Sequence, residues 1–165
     1  MATRLNNVYA MVTDKRSVPF NSTGSGTITT SGITVNGTST LFTSEMKAGS
    51  WLVNLTTNEC RRVVRVDSDT RAYLEGAFTS DISVAAAPSI IPYYDARAFE
   101  ISLIIPTTSS TGGTNIKGLL NGVYLPVGIA RTIGRSDRAR SSKPDFIDPI
   151  VIDGTGTEIL VSVIY

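Results

Sequence analysis

The chain has 165 residues, of which 41% are hydrophobic and 18% charged, with a formal net charge of +1 and one cysteine. So small a net charge creates no long-range field that would draw the chain onto nucleic acid or an anionic membrane, and one cysteine excludes an internal disulfide. The fraction of charged residues is low, and Ser and Thr are abundant instead. Burying a hydroxyl group against a partner costs less free energy than burying a charged group.

The N-terminal segment covers residues 1–23. The apolar run at residues 8–13 (VYAMVT) predicts a strand, and residues 14–19, which end in proline, predict a turn or an arm. After residue 23 the composition changes abruptly to Gly, Thr and β-branched residues. We therefore place a domain boundary there.

Residues 24–94 predict about five or six short strands, spaced about 8–12 residues apart and separated by turns. The hairpin-type dipeptides Ser-Gly and Asn-Gly stand at residues 31–32 and 36–37. Residues 43–49 predict one helical turn that Thr43 caps and a glycine ends. The pattern is typical of a small β-barrel of SH3 or OB size rather than an α/β fold.

The barrel core is predicted from the large apolar positions of these strands. Trp51, the only tryptophan, is expected to be buried and to close one end of the barrel. The predicted core residues are Phe42, Met46, Trp51, Val53, Val63, Val66, Leu74 and Phe78.

Residues 95–165 form a third segment, which is also β-rich. Its predicted strands lie at residues 98–105, 123–132, 150–153 and 158–165, with a flexible loop at 107–115, a helical turn at 116–120 and a basic loop at 134–144. We expect the C-terminal strands to combine with the strand at residues 8–13 in a second β-region. The predicted fold class is therefore all-β.

The sequence offers few groups for catalysis. It contains no histidine, so Cys60 has no histidine partner that would activate it as a nucleophile. Two carboxylate pairs, Asp67 with Asp69 and Asp145 with Asp148, have the composition of a glycosidase pair, but each stands in a turn, where Asp is expected for structural reasons. We expect no enzymatic activity, cofactor or metal, and keep a glycan-cleaving or carbohydrate-binding module as a minor alternative.

One stretch is strongly basic. Residues 131–143 carry five cations against the single acidic residue Asp137, and no aromatic residues interleave with them. Three interpretations stay open: contact with nucleic-acid phosphates, which we do not favour, ion pairs with a neighbouring subunit, and a solvated loop. The candidate interface residues are Arg131, Arg135, Arg138, Arg140 and Lys143.

Four segments together resemble a module of tailed-bacteriophage virion proteins. They are GTSTLFT at residues 37–43, MKAGSW at 46–51, VDSDT at 66–70 and AYLEGAF at 72–78. In that module Ser50 is usually Asp and Met46 is usually Leu. The resemblance covers residues 24–92, and it implies a small β-barrel of the kind used in head, neck, tail and fibre proteins.

The resemblance implies a function in virion assembly. We expect a non-enzymatic structural protein of a bacteriophage virion, as an auxiliary or decoration subunit of the head, with a neck, tail or fibre component as the alternative. The expected partners are other virion proteins and further copies of the chain. No apolar run approaches the ~20 residues of a membrane span, and residues 1–14 lack the apolar core of a signal peptide, so we expect synthesis in the host cytoplasm and no membrane partner.

Overall fold

The computed structural model describes residues 7–93, 100–104, 131–134, 148–155 and 158–164. In chain order its elements are β1 (Asn7–Val12), β2 (Lys15–Val18), β3 (Ser22–Thr23), β4 (Thr27–Ser31), β5 (Thr34–Thr38), α1 (Phe42–Glu45), β6 (Trp51–Asn54), β7 (Glu59–Ser68), β8 (Arg71–Leu74), β9 (Ser89–Ile91), β10 (Glu100–Ile104), β11 (Arg131–Gly134), β12 (Ile150–Asp153) and β13 (Ile159–Ile164). The all-β prediction is confirmed.

The chain divides into two compact units. One combines Met1–Val18 with Arg97–Tyr165, and the other is Pro19–Ala96. The second unit corresponds to the predicted barrel segment but begins at Pro19 rather than at residue 24.

The unit Pro19–Ala96 contains a seven-stranded antiparallel sheet in the order β3-β9-β6-β7-β8-β5-β4. Its outer strand β4 also bonds to the segment that leads into β9: Ile28 N–H donates to Ala86 O at 2.8 Å, and Ala86 N–H donates back to Ile28 O at 3.2 Å. Thr30 N–H donates to Ile82 O at 3.0 Å on the same segment. The outer strand β4 therefore bonds back to the chain that continues into β9, and the sheet closes into a small antiparallel barrel.

The barrel encloses one hydrophobic cluster, which contains five of the predicted core residues. The other members of the cluster are residues 28, 35, 52, 72 and 90. Along their strands these inward-facing residues alternate with residues that face away from the cluster. The cluster consists of Ile28, Val35, Phe42, Met46, Leu52, Val63, Ala72, Leu74, Phe78 and Ile90. Val53 is also buried, but the cluster does not include it.

Trp51 is not the core plug that the sequence predicts. Its side chain is only partly buried, because the next residue, Leu52, faces the cluster and successive side chains of a strand point to opposite faces. Trp51 pairs across the sheet with Arg62 and Ile91. The prediction of a fully buried tryptophan is therefore wrong.

Val66 packs against the cluster although it is three residues beyond Val63, an odd spacing that would place the two on opposite faces of a regular strand. The register between β7 and β8 shifts between Val63 and Arg65, where β7 carries one extra residue. This β-bulge returns Val66 to the inner side. Val66 is nevertheless only partly buried, so its assignment to the core holds in part.

The helical turn also differs from its prediction. The N-cap of α1 is Leu41, which makes no side-chain capping bond, so Thr43 lies inside the helix and does not cap it. After the helix, Gly49 adopts φ +94°, a value that L side chains rarely reach. The turn is joined to β7 because Gly49 N–H donates to Val63 O at 2.8 Å and Val63 N–H donates to Ser50 O at 2.7 Å.

The other unit contains a four-stranded antiparallel sheet in the order β1-β13-β10-β11 and a two-stranded pair of β12 with β2. The predicted combination of the N-terminal strand with the C-terminal strands is therefore confirmed. One face of the larger sheet is fully buried, at Val161, Val163, Ile101 and Leu103. The predicted arm at residues 14–19 is instead largely strand β2, because its backbone pairs with Ile150–Asp153.

Candidate functional site

Of the predicted basic interface, only Arg131 falls within the described residues. It begins β11 and pairs with Leu103 of β10, so it belongs to a sheet rather than a loop. Arg135, Arg138, Arg140 and Lys143 lie outside the described residues. Their role in an interface stays a prediction.

Strand β7 carries a second group of arginines, each paired with a carboxylate of the barrel. Arg61 pairs with Glu59, Arg62 with Glu75 at 3.1 Å, and Arg65 with Asp67 at 2.7 Å. The guanidinium of Arg65 also lies 4.3 Å from the ring centre of Tyr73. These cations are therefore engaged within the barrel, which does not favour phosphate binding there.

The carboxylate pair of Asp67 and Asp69 has structural partners. Asp67 pairs with Arg65, whereas Asp69 accepts a bond from Thr43 N–H at 3.0 Å and another from the Thr43 hydroxyl. The hydroxyl bond, together with the N–H bond, lowers the pKa of Asp69 below its usual value. Of the second predicted pair, Asp145 lies outside the described residues and Asp148 is exposed.

Glu59 forms hydrogen bonds with the segment that follows β8. Its carboxylate accepts bonds from Thr79 N–H at 3.0 Å and from the Thr79 hydroxyl at 2.9 Å. Burial alone would raise the pKa of Glu59, but the hydrogen bonds from Thr79 and the charge of Arg61 oppose burial, and the pKa is lowered. This arrangement ties Thr79 to the first residue of β7.

One side of the sheet β1-β13-β10 carries a patch of uncharged residues, here called the outer sheet face. It consists of Tyr9, Met11, Ser102, Ile104, Leu160 and Ser162, which line a shallow cavity of about 420 Å³. Tyr9 stands opposite Ser162, and Met11 opposite Leu160. Tyr9 is 73% exposed and Met11 55% exposed, so large apolar side chains stand on the side opposite the buried face.

A second concave surface lies in the wall of the barrel and is here called the wall groove. It has a volume of about 420 Å³ and runs between residues 53–57, at the end of β6 and its turn, and residues 80–89. Asp81 is the one charged residue among those that line it. The sequence alone does not predict either surface; the only local signal is the uncharged composition of residues 82–92 and of the strand at residues 8–13.

Among the described residues, no group of three or more His, Cys, Asp and Glu side chains is arranged to hold a metal ion. Within the same part of the chain, no helix is long and apolar enough to cross a membrane. Comparison with known proteins finds no match among family models, curated proteins or solved structures.

Proposed function

We propose that the chain is a non-enzymatic structural subunit of a bacteriophage virion, and that it serves as an auxiliary or decoration protein of the head. The observation that carries the proposal is the junction of Thr43 with Asp69. These two residues belong to the two halves of the motif that resembles the virion module, GTSTLFT and VDSDT. Their contact means that the motif residues act together to hold the barrel.

Ser50 supports the same interpretation. It replaces the Asp that is usual in the module, and it is fully buried. Its hydroxyl oxygen accepts a hydrogen bond from Lys47 N–H at 3.1 Å, which is a bond that a carboxylate would also accept. The substitution therefore preserves an acceptor in the turn that leads to Trp51.

The surfaces of the protein suit a subunit that contacts other proteins. The outer sheet face presents exposed Tyr9 and Met11 beside hydroxyl groups, with Ser102 Oγ and Thr132 Oγ1 at 2.8 Å from each other. Covering uncharged residues of this kind with a partner costs little free energy, because no charge is desolvated. They support an assembly role but do not specify a position in the particle.

The proposal is tested by quantitative mass spectrometry of purified particles from a phage that encodes the chain. A head decoration protein is expected at a copy number on the order of hundreds, whereas a ring at the neck or tail is expected at about six or twelve copies. The low number would reassign the protein to the alternative position. Absence from washed particles, with the chain abundant in the infected cell, would contradict a structural role.

A further inference from the structure

We infer that the wall groove binds an extended segment of a partner protein, which adds as a strand beside residues 83–87 and places a Lys or Arg at Asp81. The inference deepens the proposed structural role and rests on it for the expectation that the partner is a protein. Its physical basis is an interruption in the hydrogen bonding of the barrel wall.

The interruption begins where β6 and β9 separate. Their ladder pairs Trp51 with Ile91 and Leu52 with Ile90, and it ends there. Continued in register, it would bring Asn54 opposite Pro88, which has no N–H to donate. The strands diverge instead, and the wall groove occupies the space between them.

The other wall of the groove is the segment that precedes β9, which joins β4 through an isolated bridge between Ile28 and Ala86. Ile82 and Ala86 bond to Thr30 and Ile28 of β4, so three residues on this segment oppose a single residue of β4. Residues 83–85 therefore bulge away from β4, and Val84 is 79% exposed. Such bulges leave backbone groups unpaired.

The unpaired backbone groups are accessible. Within the described part of the chain, no hydrogen bond is made by the backbone of Ser83, Ala85 or Ala87, and all three residues are exposed. Exposed strand edges normally carry a charge or a proline that blocks pairing; residues 83–87 (SVAAA), which present unpaired backbone groups outside the named strands, have neither. Their small side chains also leave room for a second backbone to approach, as strand addition requires.

The charge of the groove identifies one feature of the occupant. The Asp81 carboxylate accepts bonds from Thr30 Oγ1 and Gly32 N–H, each at 3.1 Å. Both donors are neutral, and no ion pair of Asp81 occurs among the described residues. A cation on the incoming segment would therefore complement the one charged residue in the lining.

The test is a nuclear magnetic resonance titration of the ¹⁵N-labelled full chain with the capped peptide Lys-Val-Thr-Val-Thr. Because main-chain bonds are largely independent of side-chain identity, this peptide is expected to bind in the submillimolar range. Shifts are expected at Ser83, Ala85 and Ala87, whose amide hydrogens should exchange rapidly in the free protein and more slowly in the complex.

Three changes test the mode of binding. Ala85→Pro removes an outward N–H without touching the bonds of Ala86 to β4, and it should abolish binding. Asp81→Asn retains acceptors for Thr30 and Gly32 but removes the charge, and it should weaken binding about threefold. A peptide with Glu in place of Lys should lose affinity to at least that extent, and the spectrum of each variant establishes that it is folded.

Each remaining result overturns part or all of the inference. Absence of shifts at 83–87 with the peptide at millimolar concentration, or shifts confined to the outer sheet face, would overturn strand addition. Equal affinities for the Lys and Glu peptides would overturn the role of Asp81. Concentration-dependent protection of the same amides without peptide would identify a second copy as the occupant. None of these results depends on the copy number in particles, so failure here is distinguishable from failure of the proposed function.

Discussion

The carboxylate of Asp69 accepts two hydrogen bonds from Thr43, which precedes it by 26 residues in the chain. Phe42 N–H adds a bond to Asp69 O at 3.3 Å, and the Thr40 hydroxyl donates to the same carbonyl oxygen. The turn between β7 and β8 thereby holds the start of α1 against the barrel. The relationship brings the Thr-rich segment GTSTLFT and the Asp-containing turn VDSDT of this chain into contact.

Replacement of Asp69 by Ala should lower the melting temperature by several degrees, because Thr43 N–H and the Thr43 hydroxyl both lose their acceptor. Asp67→Ala is the matched control, since Asp67 pairs with the exposed Arg65 at the surface, and such pairs contribute little. Thermal unfolding followed by circular dichroism measures both. An equal fall in melting temperature for the two substitutions would contradict a stabilising role for the hydrogen bonds between Thr43 and Asp69.

The same junction predicts an acid-sensitive contribution to stability. The folded-state pKa of Asp69 is lowered by its bonds to Thr43, whereas the unfolded-state pKa is about 3.9. The contribution is therefore fully present above the unfolded-state value and is lost as the pH falls through the folded-state value. Urea unfolding of the native protein and Asp69→Ala should show a stability difference that is constant near neutral pH and shrinks below about pH 4.

Gly49→Ala should destabilise the protein by about 1–3 kcal/mol. Gly49 has φ +94°, and an added Cβ would lie 2.6 Å from Cδ2 of Tyr93. Two controls separate the causes. Gly32→Ala has a positive φ but open space, and should cost less; Gly76→Ala has neither obstacle and should be near neutral. Chemical denaturation measures the unfolding free energy of all three variants. Equal destabilisation by Gly49→Ala and Gly76→Ala would show that neither the positive φ nor the contact with Tyr93 matters at position 49.

Leu52→Ala should cost about 2–5 kcal/mol, and Trp51→Ala should cost less, although tryptophan is the larger residue. Leu52 is fully buried in the barrel cluster, whereas Trp51 is only partly buried on the opposite face of the same strand. Urea unfolding ranks the two variants. A larger loss for Trp51→Ala would restore the tryptophan as the main core residue.

Much of the barrel could be predicted from local patterns. The alternation of apolar and polar residues, the hairpin dipeptides and the glycine at position 49 were sufficient to place most strands and five members of the hydrophobic cluster. The candidate interfaces could not be predicted in this way. The wall groove lies where β6 and β9 separate beyond the pair of Leu52 and Ile90, and that separation depends on pairing between strands distant in sequence.

The sequence by itself determined the all-β class, most strand positions and the turn at Gly49, because propensity, side-chain alternation and the need for a positive φ act between near neighbours in the chain. Tertiary structure decided which face of each strand is inside. Trp51 and Leu52 are both apolar, and only pairing with β7 and β9 directs Leu52 inward. Register between distant segments, which no local pattern encodes, also decides two further features. One is the bulge that turns Val66 toward the cluster, and the other is the set of bonds that joins β4 to Ile82 and Ala86.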